Sequence, residues 1–495
     1  DPKHPMDIDR LLVVTFTNAA AAEMRERIQI AIEQRLAMEP ENLHLQKQSA
    51  LIHKAQITTI DSFCLFVVRN NFNDLGLDPG FRVADEGELR LLQKDTLSEM
   101  LEQEYASQRP EFLDCVEYFT GGSNDRLLEE YIEGLYTFSV SYPWPEEWLL
   151  QSLEDYKITS VSQMENSDWC RFMMSHVKTL WTELIQKLQK AYTLTERPAG
   201  PYMYGELLER EVEMLGRVAQ KQSFSEWYEA METVSFGRLP SKKDDSVDVN
   251  LRTMAQQIRN DVKKQIDGIC KDFFLFSPEQ VVTQMQTAAP MVEELVRLVR
   301  LYSEMLASKK REANIIDFSD MEHLALQILL KKEGKEVVPT NAALEYRQCF
   351  DEILIDEYQD SNLVQEYLLT SISGERDGKF NRFMVGDVKQ SIYKFRLARP
   401  ELFMEKYDSY GKEEGECQRI DLHKNFRSRR EVIESVNEVF QKLMYRQFGG
   451  ITYNEDEALY YGASYPENTG NETEYLLIEK QENGKESARA QEALA

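Results

Sequence analysis

The stretch DEILIDEYQD, residues 351–360, sets Asp356, Glu357 and Asp360 directly behind the aliphatic run Ile353-Leu354-Ile355. An unbroken apolar run this short reads as a strand buried on both faces of a parallel sheet, which puts the acids at its C-terminal end. In open α/β sheets that end faces the ligand crevice, where a carboxylate pair can hold a hard cation and orient a water molecule. A solvated turn after a core strand is the plainer reading of an isolated Asp-Glu pair.

Two further clusters carry chemistry. In GDVKQSIYKFR, residues 386–396, Gly386 and Asp387 predict a tight turn that sends Gln390 back toward the carboxylates. Tyr393 and Phe395 alternate with Lys394 and Arg396, and interleaved aromatics and bases suit single-stranded nucleic acid, where stacking contributes about 1–3 kcal/mol per base. In HKNFRSRRE, residues 423–431, Lys424, Arg427, Arg429 and Arg430 crowd the start of a predicted helix. Cations there oppose the macrodipole by about 0.3–1 kcal/mol each. An arginine aimed at a transferring phosphoryl group accounts for that placement, since such a contact is worth about 10³–10⁵ in rate. Core aromatics and a surface basic patch are the plainer readings of the two segments.

The elements that must position these residues follow an α/β pattern at both ends of the chain. RLLVVTFT reads as a buried strand, AAAAEMRERIQIAIEQRL as a helix opened by Thr17 or Asn18, AQITTI as a second strand and DSFCLFVVRNNF as a second helix. From residue 315 onward, DFSDMEHLALQILLKK predicts a helix, EILID, RFMVG and QRIDL predict strands, and RREVIESVNEVFQKL predicts a closing helix. Residues 73 to about 310 read as mainly helical, with a polar loop near 237–248 and a long amphipathic run from EQVVTQMQ to YSEMLASKKRE. Five strand ends finish in polar residues: TFTN, TTIDS, DEYQD, GDVKQS and HKNFRS.

Composition bounds the class. The 495 residues are 42% hydrophobic and 29% charged, values of a folded globular chain of two to four domains. Six scattered cysteines without a C-x-x-C pair indicate neither a zinc site nor a disulfide framework. With no signal-like or membrane-length apolar run, a cytoplasmic location is expected. The net charge of −28 argues against indiscriminate coating of nucleic acid but leaves room for a local basic track.

TFTNAAAAEMRERI, TTIDSFC, ILIDEYQDSN, VGDVKQSIYKFR and HKNFRSRREVI resemble, in order, motifs Ia, Ic, II, III and IV of the UvrD-like superfamily 1A DNA helicases. YPWPEEWL, FGRLPSKK, IIDFSDMEHLAL and FRLARPELF look closer still to the AddA group, the helicase-nuclease subunits of bacterial AddAB recombination complexes. The resemblance implies an α/β fold with an incomplete RecA-like P-loop NTPase parallel sheet interrupted by a large, mainly helical insertion domain. Residues 1–72 and 311–422 would form domain 1A, 73–310 domain 1B, and 423–495 the beginning of domain 2A.

Residue by residue, the resemblance makes Asp356 and Glu357 the Mg²⁺ site, with Glu357 polarising the attacking water. Gln390 would sense the γ-phosphate of ATP, Arg427 would stabilise the transferring charge, and Phe426 with Asn425 would meet the nucleotide. DNA contacts would fall to Thr15, Phe16, Thr17, Asn18, Thr59, Ser62, Tyr393, Phe395 and Arg396. Asp61 stands where a histidine is common, and a carboxylate there is not expected to touch DNA.

The implied function is ATP-dependent 3′–5′ translocation on single-stranded DNA, opening duplex ends for recombinational repair beside an AddB-like partner. The alternatives are a repair helicase without a nuclease and a non-catalytic DNA-binding scaffold. No G-x-x-x-x-G-K-[ST] occurs in the sequence. By the resemblance this makes the chain an internal fragment, expected by itself to hydrolyse ATP poorly or not at all.

Overall fold

The computed structural model describes residues 5–122, 124–242, 244–334, 336–394, 397–445, 451–466 and 473–474. The chain divides into two compact units. One comprises residues 1–79 with 318–495, and the other residues 80–317. The sequence pattern puts these joints at 72/73 and 310/311, several residues earlier.

The first unit is built on four parallel strands, β1 (Leu11–Thr15), β2 (Gln56–Thr59), β3 (Glu352–Ile355) and β4 (Arg382–Met384), in the order β2-β1-β3-β4. Leu12, Val13 and Val14 are β-branched or aliphatic and buried, as a strand covered on both faces requires. Val13 pairs with Ile57 on one side and Leu354 on the other, and Ile355 pairs with Met384. At the head of the sheet Arg10 donates two hydrogen bonds to Asp351, 2.6 and 2.8 Å, across 341 residues of chain, and holds the Asp351 carboxyl below its ordinary range.

Helix α1 (Asn18–Met38) follows β1, with Thr17 as its cap: the hydroxyl accepts from Ala20 N at 3.1 Å. Met24 and Ile28 of this helix pack on Val13 and Ile57 over one face of the sheet. Helix α2 (Ile60–Asn70) is capped by Thr59 and buries Phe63, Val67 and Val68 completely. Against it packs α3 (Phe318–Leu329), which in turn meets α4 (Leu363–Ile372).

Two expected elements differ. The helix beginning at Phe318 stops at Leu329, because Leu330–Glu333 turns back at Gly334 (φ +66°) into an antiparallel hairpin with Glu336–Pro339. QRIDL makes only an isolated bridge from Gln418 to Gly411. Ile420 and Leu422 are 65% and 82% exposed, so no apolar face is covered there to hold a strand. The pairing in this region is Lys424–Asn425 with Tyr460–Tyr461.

β4 is fastened by Arg382, whose buried guanidinium meets Glu366 of α4 at 3.1 Å and Glu375 at 2.9 Å. Tyr358 donates to Glu366 at 2.6 Å, and Lys406 lies 3.1 Å from it. Arg382→Ala strips two carboxylates of a buried partner. It is expected to cost about 3–5 kcal/mol, read as a lower urea midpoint with an unchanged slope.

The second unit is helical, as the sequence predicts for most of residues 73–310. Asp168–Thr195, Val249–Phe273 and Pro278–Glu312 are its longest helices. One core gathers around Trp181 and Trp227, whose rings meet edge to face at 5.4 Å, and another around Met100, Phe112, Leu298 and Tyr302. Arg82–Val83 pairs in parallel with Ile315–Ile316 and ties the two ends of the unit together.

Candidate active site at the strand ends

β3 hands the chain to the acids in an unusual backbone state. Asp356 N still donates to Val14 O at 3.0 Å, but Glu357 is left-handed at φ +53°, ψ 40°, before the single turn Tyr358–Asp360. For a residue with a Cβ that conformation costs about 1–2 kcal/mol, and such strain is held where a side chain must be aimed. Tyr358 N donates to Val385 O at 2.9 Å, tying the turn to the residue after β4.

Asp356 and Glu357 share a narrow cleft with Thr15 and Phe16 from the end of β1, and with Ser361 and Gln365 from the start of α4. Burial, and then the charge of Glu357, raise the Asp356 carboxyl above its ordinary range, and burial does the same for Asp360. Two adjacent carboxylates, one of which raises the other's proton affinity, are a donor set a divalent cation relieves. Among the described residues no group of three or more His, Cys, Asp or Glu side chains is gathered as a metal cage. A pair suffices for Mg²⁺, which keeps several waters and binds through one or two carboxylates together with substrate phosphates. The residues present therefore fit it.

The link from this cleft to residues 386–393 runs through a side chain that sequence reasoning misses. Gln359 is fully buried, donates from Nε2 to Glu357 at 2.7 Å and accepts from Asp387 N at 2.9 Å. Gly386 permits this approach, since a Cβ there would lie 2.5 Å from Gln359 Oε1. A neutral amide among the three acids of DEYQD is the available signal.

Gln390, expected to turn back to the carboxylates, donates to Asp387 at 3.0 Å. Asp387 also caps the turn Val388–Gln390, its side chain accepting from Lys389 N at 3.1 Å.

The aromatic residues behave differently from the hydroxyls around them. Phe16 and Tyr393, 377 positions apart in sequence number, bring their rings to 4.6 Å at 32°. Thr15 is buried and donates to Thr17 O at 2.9 Å, while Thr59 is buried and donates to Ser62 Oγ at 2.9 Å. Both hydroxyls are thus engaged in local structure, whereas Thr17, Asn18 and Ser62 stand exposed at helix starts. Burial raises the Asp61 carboxyl, and its charge adds to the rise at Glu322. Phe395 and Arg396 lie outside the described residues.

A second cluster surrounds Arg427. Asn425 Oδ1 accepts from the N–H groups of Arg427 (2.9 Å) and Ser428 (2.8 Å), and Tyr465 donates to Arg427 O at 2.7 Å. Phe426 is 65% exposed and lies close against Gly462, where a Cβ would come within 2.7–2.9 Å of the ring. Helix α5 (Arg430–Leu443) starts with the cations the sequence put there, and two of them have aromatic neighbours. The Arg429 guanidinium sits over Tyr465 at 5.2 Å, and that of Arg430 over Tyr461 at 5.3 Å. Among the described residues, the contacts of residues 425–427 run among themselves and to residues 428–465.

Residues 3–411 match the family model of the UvrD/REP helicase N-terminal domain, and the chain belongs to that family. Within it the chain is similar to the protein named as the A-type subunit of the ATP-dependent helicase/nuclease of Lachnoclostridium phytofermentans, 46% identical over 468 residues that cover 94% of this chain and 34% of that protein. The proteins of the same name from Clostridium beijerinckii and Bacillus pumilus are 40% and 41% identical, covering 97% and 100% of this chain and 39% and 40% of theirs. The chain thus spans little more than a third of the length of the curated relatives it matches. Among the described residues, no helix is long and apolar enough to cross a membrane.

Proposed function

We propose that this chain is part of an ATP-driven DNA motor of the helicase-nuclease type, acting on single-stranded DNA and duplex ends in recombinational repair. The observation that carries the proposal is the carboxylate pair at the end of a central parallel strand, joined through Gln359 to the segment that ends in Tyr393. Residues 1–79 and 318–422 are a RecA-like domain 1A, residues 80–317 its insertion 1B, and residues from 423 the opening of domain 2A. Translocation is 3′ to 5′, and the partner is an AddB-like protein.

In this reading Asp356 holds the cation side of the site and Glu357 accepts the proton of the attacking water. Bound Mg²⁺ supplies charge neutralisation at the phosphates of ATP. Phe426 and Asn425 meet the nucleotide, and Arg427 contributes the positive charge at the transferring group. Gln359, holding Glu357 and the Asp387 backbone at once, passes a change at the carboxylate to the aromatic pair Phe16–Tyr393. A motor needs that coupling, because opening one base-pair step costs about 1.4 kcal/mol.

The test uses the full-length protein. Single-stranded DNA is expected to raise its ATP turnover. Phe16→Ala and Tyr393→Ala should each raise the DNA concentration for half-stimulation by about 5- to 150-fold, the equivalent of about 1–3 kcal/mol of stacking. A protein that neither hydrolyses ATP nor binds it would leave the scaffold reading in place of the motor.

A further inference from the structure

Behind the wall of the cleft, α3 carries a buried carboxylate with no place in the scheme above. Glu322 is 8% exposed and accepts from Gln365 Nε2 at 2.7 Å and from Asn362 Nδ2 at 3.1 and 3.3 Å. The same two amides form the reciprocal cap of α4: Asn362 Oδ1 accepts from Gln365 N at 2.8 Å, and Gln365 Oε1 accepts from Asn362 N at 3.3 Å. Each amide oxygen therefore serves the helix end and each amide nitrogen serves Glu322. A capping box is complete without a third partner, and an unneeded buried carboxylate is costly. Gln365 also lines the cleft beside Asp356 and Glu357.

We propose that Glu322 is a positioning residue for the nucleotide site, fixing through Asn362 and Gln365 the turn that carries Asp356 and Glu357. The inference rests on the reading of that pair as hydrolytic.

The other titratable groups acting with Glu322 come from α2. Asp61 raises its proton affinity, and Glu322 and Asp61 together add to the effect of burial on the Cys64 thiol. From α4 and its cap only the amides of Asn362 and Gln365 reach the carboxylate. Burial pushes Glu322 up to about 7 against the hydrogen bonds of Gln365 and Asn362, and Asp61 adds to the rise.

The ionised carboxylate accepts at both oxygens, as observed; a proton turns one oxygen into a donor facing the Asn362 amide and loosens the clamp. Turnover should therefore fall as pH drops through about 7. Stability runs the other way. An acid raised on folding contributes stability in full below its unfolded value, and that contribution is lost as pH rises through the folded value.

These opposite signs define the experiment, on the full-length protein with saturating ATP and single-stranded DNA. Glu322→Gln keeps the shape and an acceptor but cannot ionise. Near pH 8.5 its kcat is expected about tenfold below wild type, with the ratio closing toward one near pH 6, while its Tm near pH 8.5 stays at or above that of wild type. Asn362→Asp keeps the capping oxygen, removes the amide and adds a charge, so the acid limb of its profile should move to higher pH. A Glu322→Gln deficit that is the same at every pH, or that comes with a lower Tm, overturns the proposal and leaves Glu322 a structural residue. A wild type without DNA-stimulated turnover at any pH overturns the nucleotide-site reading itself, and the positioning role with it.

Discussion

Arg427→Ala in the full-length protein is expected to lower DNA-stimulated ATP turnover by about 10³- to 10⁵-fold. The backbone of Arg427 is held on both sides, its N–H by Asn425 and its carbonyl by Tyr465. Arg429 and Arg430 rest on Tyr465 and Tyr461, and Arg430 also pairs with Glu434 at 2.6 Å. Among the described residues no carboxylate is paired with the exposed Arg427, which leaves its guanidinium for an anionic ligand. Because the contact is read as one made while charge transfers, kcat should fall and the KM for ATP should change little. Arg427→Lys keeps the charge without the planar fork and should recover only part of the loss. A kcat within tenfold of wild type in the alanine variant would remove Arg427 from the chemistry.

Glu357→Gln is expected to cost about 10²- to 10⁴-fold in the same turnover, the usual weight of a positioned general base. The substitution is nearly isosteric, and its carbonyl can still accept from Gln359 Nε2, the 2.7 Å bond of the native residue. The left-handed backbone at this position strains either residue alike. Folding and ATP binding should therefore survive while hydrolysis does not, a split that a nucleotide-binding titration beside single-turnover hydrolysis resolves. Loss of binding together with turnover would mean that Glu357 holds the site together and does not act on water.

The parallel strands were legible because Leu12-Val13-Val14 and Ile353-Leu354-Ile355 are apolar without alternation, and sheets covered on both faces are written that way. The start of α1 was legible from Thr17 and Asn18, two capping residue types ahead of an alanine run, of which the structure uses Thr17. What failed lay where local patterns compete with neighbours not yet known. QRIDL alternates like a strand, but Ile420 and Leu422 find nothing to cover them. LKK reads as the tail of a helix until Gly334 and the antiparallel partner beyond it are in place. At the candidate site the acids were visible by type and spacing. Gln359 was not, because its significance comes from Asp387 N, 28 positions away. The bond from Gln390 to Asp387 is one that residue types leave open.

The pairing of β1 with both β2 and β3 imposes a schedule on the growing chain. Residues at the head of β1 meet their partners on β3 only after a further 341 positions, the span between Arg10 and Asp351. At about 5–20 residues per second that is a wait of roughly 17–70 s, during which residues 80–317 can close around their own cores. Val14 and its neighbours spend that time with one edge of their strand unpaired. In the cell this interval is when the chain is most open to capture by a chaperone or by another strand of its own kind.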